Sequence, residues 1–406
     1  MYLIQNENEL LAKLERYPHI LIIGKNSFSF PLYRYFSKLN SRLPANERPL
    51  IKFMNITACM QKFIQFIQSH NQLLICTYET SAEEEQILAE YNSNYTIAQI
   101  SHSLFTTISV QEHPHLDFIC TGFVKSGTTS LQIALRKHPE IFLPKGKETH
   151  YLHWKNRYLD APVRLHNQYF SGSEIIQKKV GNIEPTYNLC ARDVYECFGP
   201  DLKIIFMMRN PIEATFSYFK MMMRVLPQKQ YVDYFKTYRT FSIEMFDDFL
   251  DDFIFSDKLQ KFRYDLSIQE YLKYYNKEQM HFLFLEDFAI DTNTVMQDLQ
   301  SFLSVTPIPY TELPKKNSGE HVCRSYYYAI CAEKLSAIKK LKREGQMLKK
   351  RHILFEKFAS HIQKHAYTDE IGCITSQQRN KLHEYYMPVI ESVSNICNRD
   401  VKPIWN

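Results

Sequence analysis

Eight apolar runs of five to eight residues recur along the chain: HILIIG (19–24), LIKFM (50–54), LLICTY (73–78), YTIAQI (95–100), DFICTGF (117–123), KVGNIE (179–184), LKIIFMM (202–208) and HFLFLEDF (281–288). Stretches with helix-spaced apolar residues lie between them. Strands separated by whole helices cannot pair as tight hairpins. They pair in parallel, with each connecting helix laid over one face of the sheet. Runs apolar at nearly every position are strands buried on both faces. The expected fold class is therefore α/β, a parallel sheet flanked by helices. The polar stretch ISVQEHPHLD (108–117), with Pro114, divides the series. Residues 1–112 are expected to form a smaller, doubly wound, Rossmann-like α/β domain, and residues 113–406 a larger one with a helical, basic C-terminal part. A chain of 406 residues is long enough for two such cores.

Glycine is scarce: ten in the chain, where average usage near 7% would give about 28. Five of the ten fall between Gly122 and Gly181, which directs attention to that segment. Gly122-Phe-Val-Lys-Ser-Gly-Thr-Thr-Ser130 joins an expected strand to an expected helix. Amides at a helix start converge on an oxyanion there, and the helix dipole favours negative charge. The spacing Gly122-x4-Gly127 is that of a nucleoside-triphosphate loop, which continues with Lys and then Ser or Thr. Here Thr128-Thr129 follow, and the lysine sits inside the loop at Lys125. A triphosphate enzyme brings Mg²⁺ to neutralise its substrate. A sulfuryl group carries less charge, and the single ammonium of Lys125 suffices to stabilise a leaving phosphate. Ser126, Gly127, Thr128, Thr129 and Ser130 add amide and hydroxyl donors. A P-loop kinase-like enzyme is the disfavoured alternative, distinguished by Mg²⁺ dependence. Gly24-Lys25-Asn26-Ser27 lacks the upstream glycine, His19 standing in its place, and reads as a strand-ending turn.

LKIIFMMRNPIEATFSYFK (202–220) places Arg209 at a strand's carboxyl end, where open α/β sheets bind ligands. Ser217 lies two turns into the helix that follows. An arginine fork and a hydroxyl make a second phosphate site. At these residues the chain resembles the sulfotransferases that use 3′-phosphoadenosine 5′-phosphosulfate (PAPS). KSGTTSL (125–131) is similar to their 5′-phosphosulfate loop, and RNPIEATFSYF (209–219) to their 3′-phosphate motif, with Arg209 and Ser217 in the binding positions. The Glu286-Asp287 pair, the helix after it and Trp405 are weaker likenesses, the last one shared with many bacterial members. The resemblance covers roughly residues 115–406. It implies the sulfotransferase fold, PAPS as cofactor, and no metal requirement.

Lys147-Glu148-x-His150-Tyr151 is similar to the Glu-x-His-aromatic motif of sulfotransferases acting on carbohydrate chains, including the heparan sulfate enzymes. The resemblance implies Glu148 as general base, held ionised beside Lys147. His150 is the alternative base, since the cytosolic small-molecule enzymes use histidine. It also implies a glycan or glycolipid acceptor, with a small-molecule alcohol as the alternative. Gly146 is expected to make the tight turn that aims Glu148. NIEPTY (182–187) is similar to an acceptor-side segment, but Glu184 stands where the family carries lysine. Lys315, Lys316 and Arg324 lie in a segment loosely similar to a late nucleotide contact.

The net charge is +5, with −1 in residues 1–112 and +6 in the remainder, too mild and dispersed for a nucleic-acid footprint. IKKLKREGQMLKKRH (338–352) reads as a solvated helix face; its functional alternative is a cradle for an acidic glycan or an anionic membrane surface. The N-terminus has neither a basic n-region nor an apolar core, and no run approaches 18 apolar residues. Nine cysteines, an odd number without a CxxC pair, fit a reducing compartment, and Cys323 and Cys331 read as buried thiols rather than a bridge. The expected location is cytoplasmic, with peripheral contact at the inner membrane surface as the one membrane role.

Overall fold

All eight apolar runs contain strands, and the helices between them cover the sheet faces as the alternation requires. The computed structural model describes residues 2–405 apart from 25, 42, 45, 147, 154–160, 173–174, 176, 225–240, 315–321, 324–329, 332–333, 336–337, 339–351, 357–366 and 369–371. The first sheet has the order β1-β5-β4-β2-β3, from β1 (Tyr2–Ile4), β2 (His19–Ile23), β3 (Leu50–Met54), β4 (Leu73–Thr77) and β5 (Thr96–Ile100). Every pairing is parallel. Alternate residues serve opposite faces. Ile20, Ile22, Leu74, Cys76, Ala98 and Ile100 pack with Leu10, Phe36 and Phe105, from helices α1 (Glu7–Arg16), α2 (Asn26–Ser41) and α5 (His102–Glu112). Leu21, Ile23, Leu73, Ile75 and Ile97 pack with Phe63, Ile67 and Leu88, from α3 (Met60–Gln68) and α4 (Ala82–Tyr91). The helices start at residues suited to capping. Ser81 and Glu84 form a reciprocal capping box on α4, and the Ser101 hydroxyl accepts the Leu104 amide on α5.

The second sheet has the order β10-β9-β6-β8-β7. Its strands are β6 (Phe118–Gly122), β7 (Ile141–Phe142), β8 (Lys179–Ile183), β9 (Lys203–Met208) and β10 (Met280–Phe284). β6 pairs parallel with β8, and β8 with β7. Gly181 is required by that packing: a Cβ there would lie 2.1 Å from the Phe118 ring. Its helices include α6 (Thr128–Leu135), α7 (Ala161–Tyr169), α8 (Ala191–Phe198) and α9 (Pro211–Arg224). Later come helices at Leu285–Leu303 and Ser376–Cys397, a short one at Lys402–Trp405, and an antiparallel pair of two-residue strands, Val322–Cys323 with Tyr367–Thr368.

Three local expectations are corrected. The 281–288 run is not all strand: it turns helical at Leu285, and Glu286 and Asp287 occupy the helix's first turn, where the dipole favours acids. The stretch 108–117 is linker only in its second half, because α5 runs to Glu112 and buries Ile108 in the first sheet. Cys331 is a free thiol but half-buried rather than buried.

The chain divides into two compact units: Met1–Cys120 with His138–Ile204 and Glu270–Met280, and Thr121–Lys137 with Ile205–Gln269 and His281–Asn406. Among the described residues, no helix is long and apolar enough to cross a membrane.

Candidate active site

The glycine loop and the arginine segment belong to the second unit. β6 ends at Gly122, and α6 begins at Thr128 with Gly127 as its N-cap at φ 89°. Only glycine fits position 127. The backbone is left-handed, and a Cβ would lie 2.8 Å from both Leu285 Cδ1 and Met207 Cε. Gly127 offers no side-chain cap to the helix start, and the amides of a helix start point toward the side on which an anion is favoured. Ser126, Thr128 and Ser130 are buried, while Lys125 and Thr129 are half-buried. Lys125 itself is left-handed, at φ 64°.

Arg209 follows β9, and one of its guanidinium nitrogens lies 3.4 Å from the Lys125 carbonyl oxygen. Its backbone is clamped from several sides. The Tyr264 hydroxyl donates to the Arg209 carbonyl at 3.0 Å, and burial pushes that hydroxyl's pKa upward. The next amide, Asn210, donates to Glu286 Oε1 at 2.8 Å, and Trp405 Nε1 donates to Glu286 Oε2 at 3.2 Å. Asn210 Nδ2 reaches the Trp405 carbonyl at 2.7 Å, and its Oδ1 caps α9 through the Ile212 amide. Pro211 then opens α9, where a missing N–H costs nothing. Glu213, 3.9 Å from Arg209, also pairs with Arg379 at 2.6 Å. Ser217, one turn beyond Glu213 and half-buried, shares its helix face. Sequence reasoning noticed Glu286 and Trp405 only as likenesses and missed Asn210, Tyr264 and Arg379. The signal was available in Asn210-Pro211, a capping residue before a first-turn proline. The combination of a cation inside the loop, an arginine fork, hydroxyls and helix-start amides fits a nucleotide carrying anionic groups.

Glu148 and His150 belong to the first unit, on the loop after β7. Both have left-handed backbones, at φ 62° and 50°. Gly146 lies in a bend ahead of them without a positive φ. His150 Nε2 lies 3.7 Å from Glu148 Oε2, and Nδ1 lies 3.5 Å from Glu184 Oε1. Glu184, just past β8, is fully buried. Its Oε2 accepts the His150 amide at 2.8 Å and the Thr149 hydroxyl at 3.4 Å; its Oε1 accepts the Thr186 hydroxyl at 2.7 Å. Burial raises the Glu184 carboxyl pKa, while the Thr186 hydroxyl, the His150 amide and the His150 ring oppose that rise. Oxygen or nitrogen atoms of Glu148, His150 and Glu184 all lie within 4.8 Å of one another. The ring turns a different nitrogen to each carboxylate, each at ion-pair distance. Behind the loop, the Tyr187 hydroxyl accepts the Leu152 amide at 2.9 Å. Tyr151 is fixed through its hydroxyl 2.8 Å from His113 Nε2.

The structure thus brings Lys125 together with Arg209, and Glu148 together with His150. Lys25, Lys147, Lys315, Lys316, Arg324 and most of the basic stretch 338–352 lie outside the described residues.

A family model described as "Sulfotransferase domain" matches residues 115–386. A search among curated proteins returned no match. Of the solved structures, a sulfotransferase from Alicyclobacillus acidocaldarius is 18% identical, covering 72% of this chain and 100% of its own, with a TM-score of 0.46. Mouse sulfotransferase SULT7A1 complexed with PAP is 15% identical over 70% of this chain and 87% of its own, with a TM-score of 0.36. The sulfotransferase domain of the Synechococcus PCC 7002 olefin synthase is 16% identical over 48% and 74%, with a TM-score of 0.32.

Proposed function

The chain belongs to the sulfotransferase-domain family, and from that premise we propose that it transfers a sulfuryl group from PAPS to a hydroxyl or amine of a glycan or glycolipid. The observation that carries the reading is the loop lysine: Lys125 sits inside the glycine loop, held in a left-handed conformation, whereas a triphosphate loop carries its lysine directly after the second glycine, where this chain has Thr128. PAPS supplies the activated sulfuryl group. The first-turn amides of α6, with Ser126, Thr128, Thr129 and Ser130, bind its 5′ end. The Lys125 ammonium holds the charge that gathers on the leaving phosphate. Arg209 and Ser217 bind the 3′-phosphate, and the Asn210–Glu286–Trp405 clamp keeps the arginine backbone in place.

On the acceptor side Glu148, with His150 against it, takes the proton from the attacking hydroxyl as the new oxygen–sulfur bond forms in line with the one that breaks. General-base assistance of this kind contributes about 10²–10⁴-fold, and each oxyanion-type donor about 10²–10³-fold. The glycan class rests on the Glu148-x-His150-Tyr151 segment. Residues 1–112 are proposed as an accessory α/β domain, a reading supported by the start of the family match at residue 115.

The test is transfer from radiolabelled PAPS over a panel of glycans, glycolipids and small alcohols. Labelled product is expected with the wild type and none with Lys125→Ala. Glu148→Gln is expected to lose at least about 10²-fold in kcat with PAPS affinity retained. Wild-type silence on every acceptor class, or undiminished transfer by Lys125→Ala, overturns the reading.

A further inference from the structure

Glu184 is fully buried at the end of β8, a costly place for a carboxylate unless donors and an opposite charge surround it. The donors are the His150 amide, the Thr186 hydroxyl and the Thr149 hydroxyl. Facing the carboxylate is the His150 ring, whose Nδ1 lies 3.5 Å from Oε1. One residue therefore meets Glu184 twice, through its amide and through its ring. A left-handed backbone at φ 50° makes that double contact geometrically feasible. The ring's far nitrogen, Nε2, lies 3.7 Å from Glu148.

We propose that Glu184 is a positioning residue for proton removal: it holds His150 with Nδ1–H toward its own buried carboxylate and Nε2 toward Glu148, so that the proton Glu148 takes from the acceptor passes on to His150. The inference rests on the sulfotransferase reading for its acceptor proton. The balance is complete. The acceptor O–H bond breaks, the proton moves to the Glu148 carboxylate and then to Nε2 of the neutral ring. The imidazolium so formed is offset by ionised Glu184, and its Nε2 proton leaves to water, since half of the His150 side chain is exposed. Glu148 is thereby returned to its ionised form within each turnover. Among the described residues, the carboxylates at ion-pair distance from this ring are Glu148, on its own loop, and Glu184, just past β8.

The experiment is nitrogen-15 NMR of the full chain under conditions where the ring is neutral, with the His150 signals assigned by their loss in His150→Asn. In the wild type the neutral ring is expected to carry its proton on Nδ1. In Glu184→Gln that preference is expected to be lost, the proton being found on Nε2 or shared between the two nitrogens. In transfer assays the same variant is expected to lose at least about 10-fold in kcat with KM for PAPS unchanged. A tautomer unchanged in Glu184→Gln, or a wild-type ring protonated on Nε2, overturns the proposal. A kcat loss without a change of tautomer overturns it too, since it marks a merely structural role. If Glu184→Gln fails to fold, the wild-type tautomer decides alone. If the wild type transfers nothing to any acceptor, the functional reading falls, while the tautomer still decides the pairing.

Discussion

Three of the residues assigned to chemistry, Lys125, Glu148 and His150, share a backbone property that no residue type reveals: φ of 64°, 62° and 50°. Four other non-glycine residues in the described chain have positive φ, and two of them, Ser304 and Asn398, close helices, where a left-handed residue is ordinary. Each bulky side chain in that region costs about 1–2 kcal/mol, and such costs persist where the surroundings and the function hold them. Lys125→Gly is accordingly expected to stabilise the fold by about 0.5–1 kcal/mol while abolishing transfer. Chemical denaturation read beside the activity assay checks both halves. Lys125 could be singled out from the loop spacing, and Glu148 from its likeness to a family motif. Their strained backbones were not, because φ is decided by what the loop packs against.

At the scale of single elements, the run 281–288 shows how a composition rule can mislead. It is apolar enough for a strand throughout, yet Glu286 is drawn into a helix start, where it bridges Asn210 and Trp405, residues 76 and 119 positions away. The same run carries His281, stacked on Phe302 with ring centroids 4.9 Å apart. Burial lowers its pKa from 6.5 to about 4. The folded protein thus keeps this ring neutral down to about pH 4, whereas the unfolded chain protonates it near pH 6.5. Its contribution is complete above pH 6.5 and falls away through about pH 4, a loss of about 3 kcal/mol at most. His281→Leu is expected to flatten that part of the stability-against-pH curve. Denaturant titrations at pH 7, 5.5 and 4 would show it; parallel curves for the two proteins would refute the assignment.

Over the whole molecule, the first sheet is tied to α8 within one compact unit. The Tyr78 hydroxyl, at the end of β4, donates to Glu196 at 3.2 Å. Arg192 donates to Glu196 at 2.9 Å and pairs with Glu79. Burial foremost, then the Glu196 charge, raise the Tyr78 hydroxyl's pKa. Glu196 is 3% exposed, so Arg192→Met strands a buried carboxylate. A fully buried pair broken this way costs 3–5 kcal/mol; with Arg192 at 42% side-chain exposure, about 2–3 kcal/mol is expected. Adding Glu196→Gln should recover much of the loss, a coupling that calorimetry of the single and double variants measures.

The strand–helix alternation, the glycine loop at 122–130 and the arginine at the end of β9 could all be read from the chain, because each depends on residues adjacent in sequence. A buried strand needs a local apolar run, and an anion loop needs glycines at fixed local spacing. What depended on distant residues could not be read. β1, three residues long, is a strand only because β5 offers it an edge 96 residues later. Glu184 registered in sequence as a substitution, and only tertiary structure placed it beneath His150, 34 positions earlier. Local propensity and spacing determined the elements and the loop proposed to hold the sulfuryl donor. Burial and long-range hydrogen bonding decided which carboxylates lie together, since the cost of an isolated buried charge is met only by partners that folding brings to it.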